Sequence, residues 1–142
     1  MEKKITYEVK RSLTRDELFD VLATAIEGGI GYWACLDNTT LEWAKARSQV
    51  KKEMGDDYCI EDVMIQMINN GDNIKFFDAE DPDEGEDPNM CWYLNADTLS
   101  RGCALYSENR GDLVECLRNA DFDADEADCL MQYALIGEIV FG

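Results

Sequence analysis

Histidine is absent from this chain of 142 residues, and with it the side chain that most often serves as general base, metal ligand and near-neutral proton switch. Cys-x-x-Cys pairs are absent too, so a zinc site of ordinary ligand spacing is not expected. A cysteine nucleophile would lack its usual imidazole partner, and a general base would have to be a carboxylate, lysine or tyrosine. Carboxylates are so abundant, at 31, that pairs of them discriminate nothing. A non-enzymatic protein without metal or cofactor is the expectation. No apolar run approaches the ~20 residues that span a bilayer. The first residues are charged and are interrupted at once by Tyr7, Glu8, Lys10 and Arg11, so no signal peptide is expected and the reading is cytoplasmic.

Basic residues are scarce in one part of the chain only. Residues 1–55 carry nine basic and nine acidic groups, whereas residues 56–142 carry 22 acidic groups against Lys75, Arg101, Arg110 and Arg118. The whole imbalance of −18 therefore lies in the second part. Direct contact of that surface with nucleic acid is disfavoured, because carboxylates repel phosphates and no counterions are released. A basic partner surface fits it, as does mutual repulsion that simply keeps the protein soluble.

What is present is enough for one core. With 46% apolar residues, the chain reads as one domain over residues 1–142. Its six cysteines stand singly, mostly among apolar neighbours, and read as reduced, core-filling residues.

Residues 5–12 alternate with period two and predict a strand. Thr14 and Glu17 form a capping box, with Leu13 and Leu18 as its hydrophobic staple, and a helical stripe runs from Leu18 to Ile26 before Gly28-Gly29. A short aromatic strand is expected over 30–36. Helices follow over about 41–54 and 58–68, the second stopped by Asn70-Gly71. Residues 73–79 and 90–95 read as a hairpin joined by a proline-bracketed acidic loop, 78–88. Helices over about 96–107 and 113–117, and a last one capped by Asp123, complete the chain. The fold class is α+β, an antiparallel sheet of about four strands packed with helices.

The stretches 25–33 (AIEGGIGYW), 74–78 (IKFFD) and 123–142 (DADEADCLMQYALIGEIVFG) resemble a family of small proteins encoded by phages and integrated prophages of anaerobic gut Firmicutes. Residues 38–55 look like an insertion or divergence from that pattern. The resemblance brings no catalytic motif; it implies a genomic setting of mobile-element accessory genes, many of which act against host defences.

Three surfaces carry function candidates. Residues 78–87 hold seven carboxylates in ten residues: Asp78, Glu80, Asp81, Asp83, Glu84, Glu86 and Asp87. Presented on a fold, they would occupy Lys/Arg sites that normally take phosphates, which points to a nuclease or other nucleic-acid-handling host protein as partner and to anti-restriction or anti-CRISPR action. The competing reading is a solvated loop that deters edge pairing. Tyr32 and Trp33, with Arg101 and Arg110, are candidates for a pocket that sequesters a nucleotide signal. A structural or housekeeping phage protein is the third reading. Asp121, Asp123 and Asp125 mimic the start of a calcium loop, but Glu126 replaces the required glycine and Gln132 the closing glutamate, so helix capping explains them.

Overall fold

Helix α1 (Arg15–Thr24) begins with the reciprocal cap its sequence encodes. The Glu17 amide donates to the Thr14 hydroxyl at 3.1 Å, and the Thr14 amide donates to the Glu17 carboxylate at 3.0 Å. The second of these bonds leads the forces holding the Glu17 carboxyl below its usual value. The computed structural model describes residues 2–80 and 91–142, and within them every expected helix is present. Leu13 and Leu18 pack against the core as the staple requires.

The last turn of α1 widens into a π-turn, Ala25–Gly29, in which the Ile30 amide donates to the Ala25 carbonyl five residues back, at 3.1 Å. The chain then enters β1 (Ala34–Leu36), α2 (Leu41–Met54) and α3 (Ile60–Asn70). Gly71, at φ 77°, supplies the left-handed stop that lets the chain turn into β2 (Ile74–Asp78). β3 (Cys91–Leu94), α4 (Ala96–Arg110), α5 (Leu113–Arg118) and α6 (Ala124–Leu135) follow.

The strands form one antiparallel sheet in the order β1-β2-β3, with Cys35 opposite Phe77 and Phe76 opposite Trp92. Ile74 and Phe76 are buried while Lys75 and Phe77 are half-buried, the alternation expected of a strand with one face on a core. α4 lies along α6, and α2 against α3. The core joins Leu22, Trp33, Met64, Phe76, Tyr106 and Leu130 into a single cluster drawn from all these elements. α1 is fastened to α3 by an ion pair from Arg15 to the buried Asp62 at 2.7 Å. That carboxylate also accepts the Cys59 amide and so caps α3.

The architecture is therefore α+β as expected, with three described strands instead of four. The missing one is the strand predicted over residues 5–12, which belongs to no helix or strand and leaves Ile5, Tyr7 and Val9 90%, 79% and 67% exposed. Alternation makes a segment competent to pair, but a strand exists only where a neighbouring edge takes its amides and carbonyls, and here the sheet is built without it. The cysteines also differ from expectation. Five are half-buried and Cys59 is exposed, so they border the core and do not fill it. Burial pushes the Cys103 thiol up to about 11.

Candidate acidic interface

The acidic loop expected between β2 and β3 lies mostly outside the described residues: Asp81, Asp83, Glu84, Glu86 and Asp87 are among those not described. Its root is described. The Glu80 amide donates to the Asp78 carboxylate at 2.8 Å, and the Ala79 amide donates to the Trp33 carbonyl at 3.1 Å, so the loop leaves the sheet beside Trp33.

Trp33 is buried, and its indole N–H donates to Asp128 of α6 at 2.8 Å. The same carboxylate accepts the Tyr32 hydroxyl at 2.5 Å and the Gln132 side-chain amide at 3.0 Å. Desolvation first, then this bond to Asp128, push the Tyr32 hydroxyl up to about 12. Gln132 in turn accepts the amides of Val140 and Phe141 at 2.7 and 2.8 Å and donates to the Phe141 carbonyl at 3.2 Å. The segment after α6 is thereby folded back on it, and Phe141 stacks on Trp33 with ring centres 5.1 Å apart. Trp92 meets both rings edge-on.

This network ties the loop root to α6. Ala79, between Asp78 and Glu80 at the loop root, bonds the Trp33 carbonyl, and Asp128 on α6 accepts the Trp33 indole N–H. Asp125, about one turn before Asp128, and Asp121 and Asp123, just ahead of the helix, are all exposed. Asp123 caps α6 by accepting the Glu126 amide at 3.0 Å, as expected, and this places negative charge at the positive end of the helix dipole. Gly29 permits the π-turn to approach α6 closely: a Cβ there would stand 3.1 Å from the Ala124 carbonyl oxygen. Among the described residues no group of three or more His, Cys, Asp or Glu is arranged to hold a metal ion.

The four residues proposed for a ligand pocket do not converge. Tyr32 and Trp33 are spent on Asp128. Arg101 donates to the Ala134 carbonyl at 2.5 Å, across the α4–α6 contact. Arg110 grips Glu126 with two bonds, at 2.9 and 2.7 Å. Two cavities lie elsewhere. One is a mostly apolar groove of about 540 Å³, walled by Val9, Leu13, Leu18, Ile68, Leu99 and Cys103. The other is a polar hollow of about 350 Å³ between Glu42, Asp72, Lys75 and Tyr93. None of the four candidates lines either one.

Glu126 gives the site a measurable pH signature. The paired Arg110 guanidinium, outweighing burial and helped by the Tyr106 hydroxyl, lowers its carboxyl from 4.5 to about 2. A carboxyl depressed in the folded state stabilises fully above its unfolded value, and that contribution is lost as the pH falls toward the folded one. The melting-temperature gap between the native protein and Glu126→Gln is therefore expected to shrink as pH falls from about 4.5 to about 2. Thermal melts at a series of pH values check this; a gap constant across that window would contradict it.

Asp128 and Gln132 are the residues that sequence reasoning missed as organisers of this region. A signal was present in Gln132, a polar side chain set among the apolar residues Leu130, Met131, Ala134 and Leu135. Comparison with known protein families, curated proteins and solved structures finds no match to this chain. Among the described residues, no helix is long and apolar enough to cross a membrane.

Proposed function

We propose that this chain is a phage- or prophage-type accessory protein that binds a basic, nucleic-acid-handling protein of the bacterial host. In this reading its carboxylates stand in for phosphates, which makes it an antagonist of a host defence such as restriction or CRISPR interference, acting in the host cytoplasm without catalysis. The observation that carries the reading is the exposed trio Asp121, Asp123 and Asp125 at the start of α6, together with Asp78 and Glu80 at the root of the acidic loop. A face of this kind on a chain of net charge −18 attracts Lys/Arg clefts over a distance and repels nucleic acid itself.

The experiment is capture of the host partner with tagged protein, followed by two neutralised variants. One carries Asn or Gln at Asp81, Asp83, Glu84, Glu86 and Asp87. The other carries Asp121→Asn, Asp123→Asn and Asp125→Asn, in which Asn still caps α6. Both variants are expected to fold, the second losing no more than about 1 kcal/mol as α6 loses negative charge at the positive end of its dipole. Each is expected to bind the partner about tenfold more weakly, mainly through slower association. Unchanged affinity in both variants would contradict the reading.

A further inference from the structure

Four helices and the segment before α1 border the apolar groove of about 540 Å³. Leu18 of α1, Ile68 of α3, Leu99 and Cys103 of α4 and Leu113 of α5 line it, and Val9 and Leu13 line it from the segment before α1. Its volume is that of a small-molecule site and far exceeds the space a single water needs.

The charges on its wall cancel. Arg11 and Asp112 pair with each other at 2.6 Å, and Asp112 also caps α5 by accepting the amides of Val114 and Glu115 at 3.0 and 3.4 Å. The other polar side chains that line it, Ser12, Ser100 and Ser107, are uncharged hydroxyls, and Ser107 accepts the Leu113 amide at 3.4 Å. Burial raises the Cys103 thiol to about 11, so it stays neutral at physiological pH. The groove is thus electrically balanced on a chain whose total charge is −18. Among the described lining residues no cation is left over for a carboxylate or phosphate, and no carboxylate for an amine. A charged ligand would lose its hydration there without compensation, so charge selects a neutral one.

The segment before α1 has the pattern of a cover for this groove. Ile5, Tyr7 and Val9 alternate with Thr6, Glu8 and Lys10, so an extended chain here has one apolar and one polar face. Val9 already lines the groove, and the segment is fixed at the rim by the Arg11–Asp112 pair and by Leu13 on the core. Ile5 and Tyr7 stand outside it, 90% and 79% exposed. At ~3.3 Å per extended residue, residues 5–8 reach about 13 Å beyond Val9, enough to cross a groove of this volume. We propose that the groove binds one neutral, mostly apolar small molecule, and that residues 5–9 fold over it as a lid with Ile5 and Tyr7 against the ligand. This site is separate from the acidic face, and its occupant is a small molecule, not the host protein.

The probe is N-phenyl-1-naphthylamine, a neutral apolar dye that brightens when it leaves water. Titrated into the full chain, it is expected to bind once per chain, with the same affinity at low and high salt. Intermolecular NOEs are expected from the dye to the methyl groups of Leu13, Leu99 and Val114. Cys103→Trp, which fills the groove from α4, is expected to abolish binding; the NOEs locate the dye on the native chain whether or not that variant folds. Ile5→Ser combined with Tyr7→Ser changes two exposed positions and is expected to keep the melting temperature. It is expected to weaken binding about tenfold, mainly through faster release. Binding that never saturates, NOEs to methyl groups elsewhere, or unaltered binding by a folded Cys103→Trp would each overturn the proposal. Unchanged binding by the Ile5, Tyr7 variant would remove the lid, and tighter binding would show the segment competing for the groove as its occupant; either result overturns it too.

Discussion

Gly102→Ala is expected to destabilise the protein by about 2 kcal/mol or more, lowering its melting temperature by roughly 5–10 °C. Elsewhere in an exposed helix the same change would stabilise by about 0.5–1 kcal/mol, because alanine loses less backbone entropy than glycine on folding. Here packing decides. Gly102 is where α4 and α6 come closest: a Cβ would stand 2.6 Å from the Ala134 Cβ and 2.8 Å from both its Cα and its nitrogen. Backbone atoms cannot rotate out of the way, so the two helices must separate along a contact that also holds Leu99, Leu130 and Met131 in the core. Gly31→Ala is the control, since an added Cβ meets nothing within 4 Å there; it should shift stability by less than about 0.5 kcal/mol. Thermal or urea unfolding of the two variants checks both statements.

Gln132→Leu is the second large effect, expected at about 3 kcal/mol. Gln132 is 1% exposed, and its side chain makes four hydrogen bonds: to Asp128, to the amides of Val140 and Phe141, and to the Phe141 carbonyl. Leucine keeps much of the volume and none of these bonds. The freed backbone groups recover partners only by lifting segment 138–142 into water, which takes Phe141 off Trp33. The loss should therefore be local before it is global. Amide exchange at Val140 and Phe141 should accelerate, and Trp33 fluorescence should shift, at temperatures where α2 and α3 remain folded. Unfolding in one step with no local signature would contradict this account of the clamp.

These two positions show where the sequence is legible and where it is not. Thr14, Asp123 and Gly71 act on groups within four residues, so helix starts and stops can be read directly. β2 and β3 announce themselves by short β-forming runs and by the charged stretch between them. The strand expected over 5–12 shows the limit of such patterns, because pairing is a property of two segments and period two describes one. The same holds for Trp33. An aromatic pair next to glycines is compatible with a ligand platform or with a core, and what decides is Asp128, 95 positions away in the chain. Arg101 and Arg110 likewise find partners on α6 that no local spacing reveals. The acidic start of α6 was legible as a helix cap. The link from Asp128 of α6 through Trp33 to Ala79 at the loop root, however, is tertiary and leaves no local signal.

Charge complementarity is the physical core of the functional reading, and salt tests it more directly than any substitution. The affinity of the captured host partner for this chain should be measured across a series of salt concentrations, together with its ability to hold DNA or RNA in competition. Exposed charges are screened beyond ~8 Å at physiological ionic strength. The reading therefore predicts affinity that falls steeply and steadily with salt, a shallower fall for the variant neutralised at Asp121, Asp123 and Asp125, and displacement of nucleic acid from the partner by the native protein. Affinity independent of salt, with protein and nucleic acid bound to the partner at the same time, would contradict it.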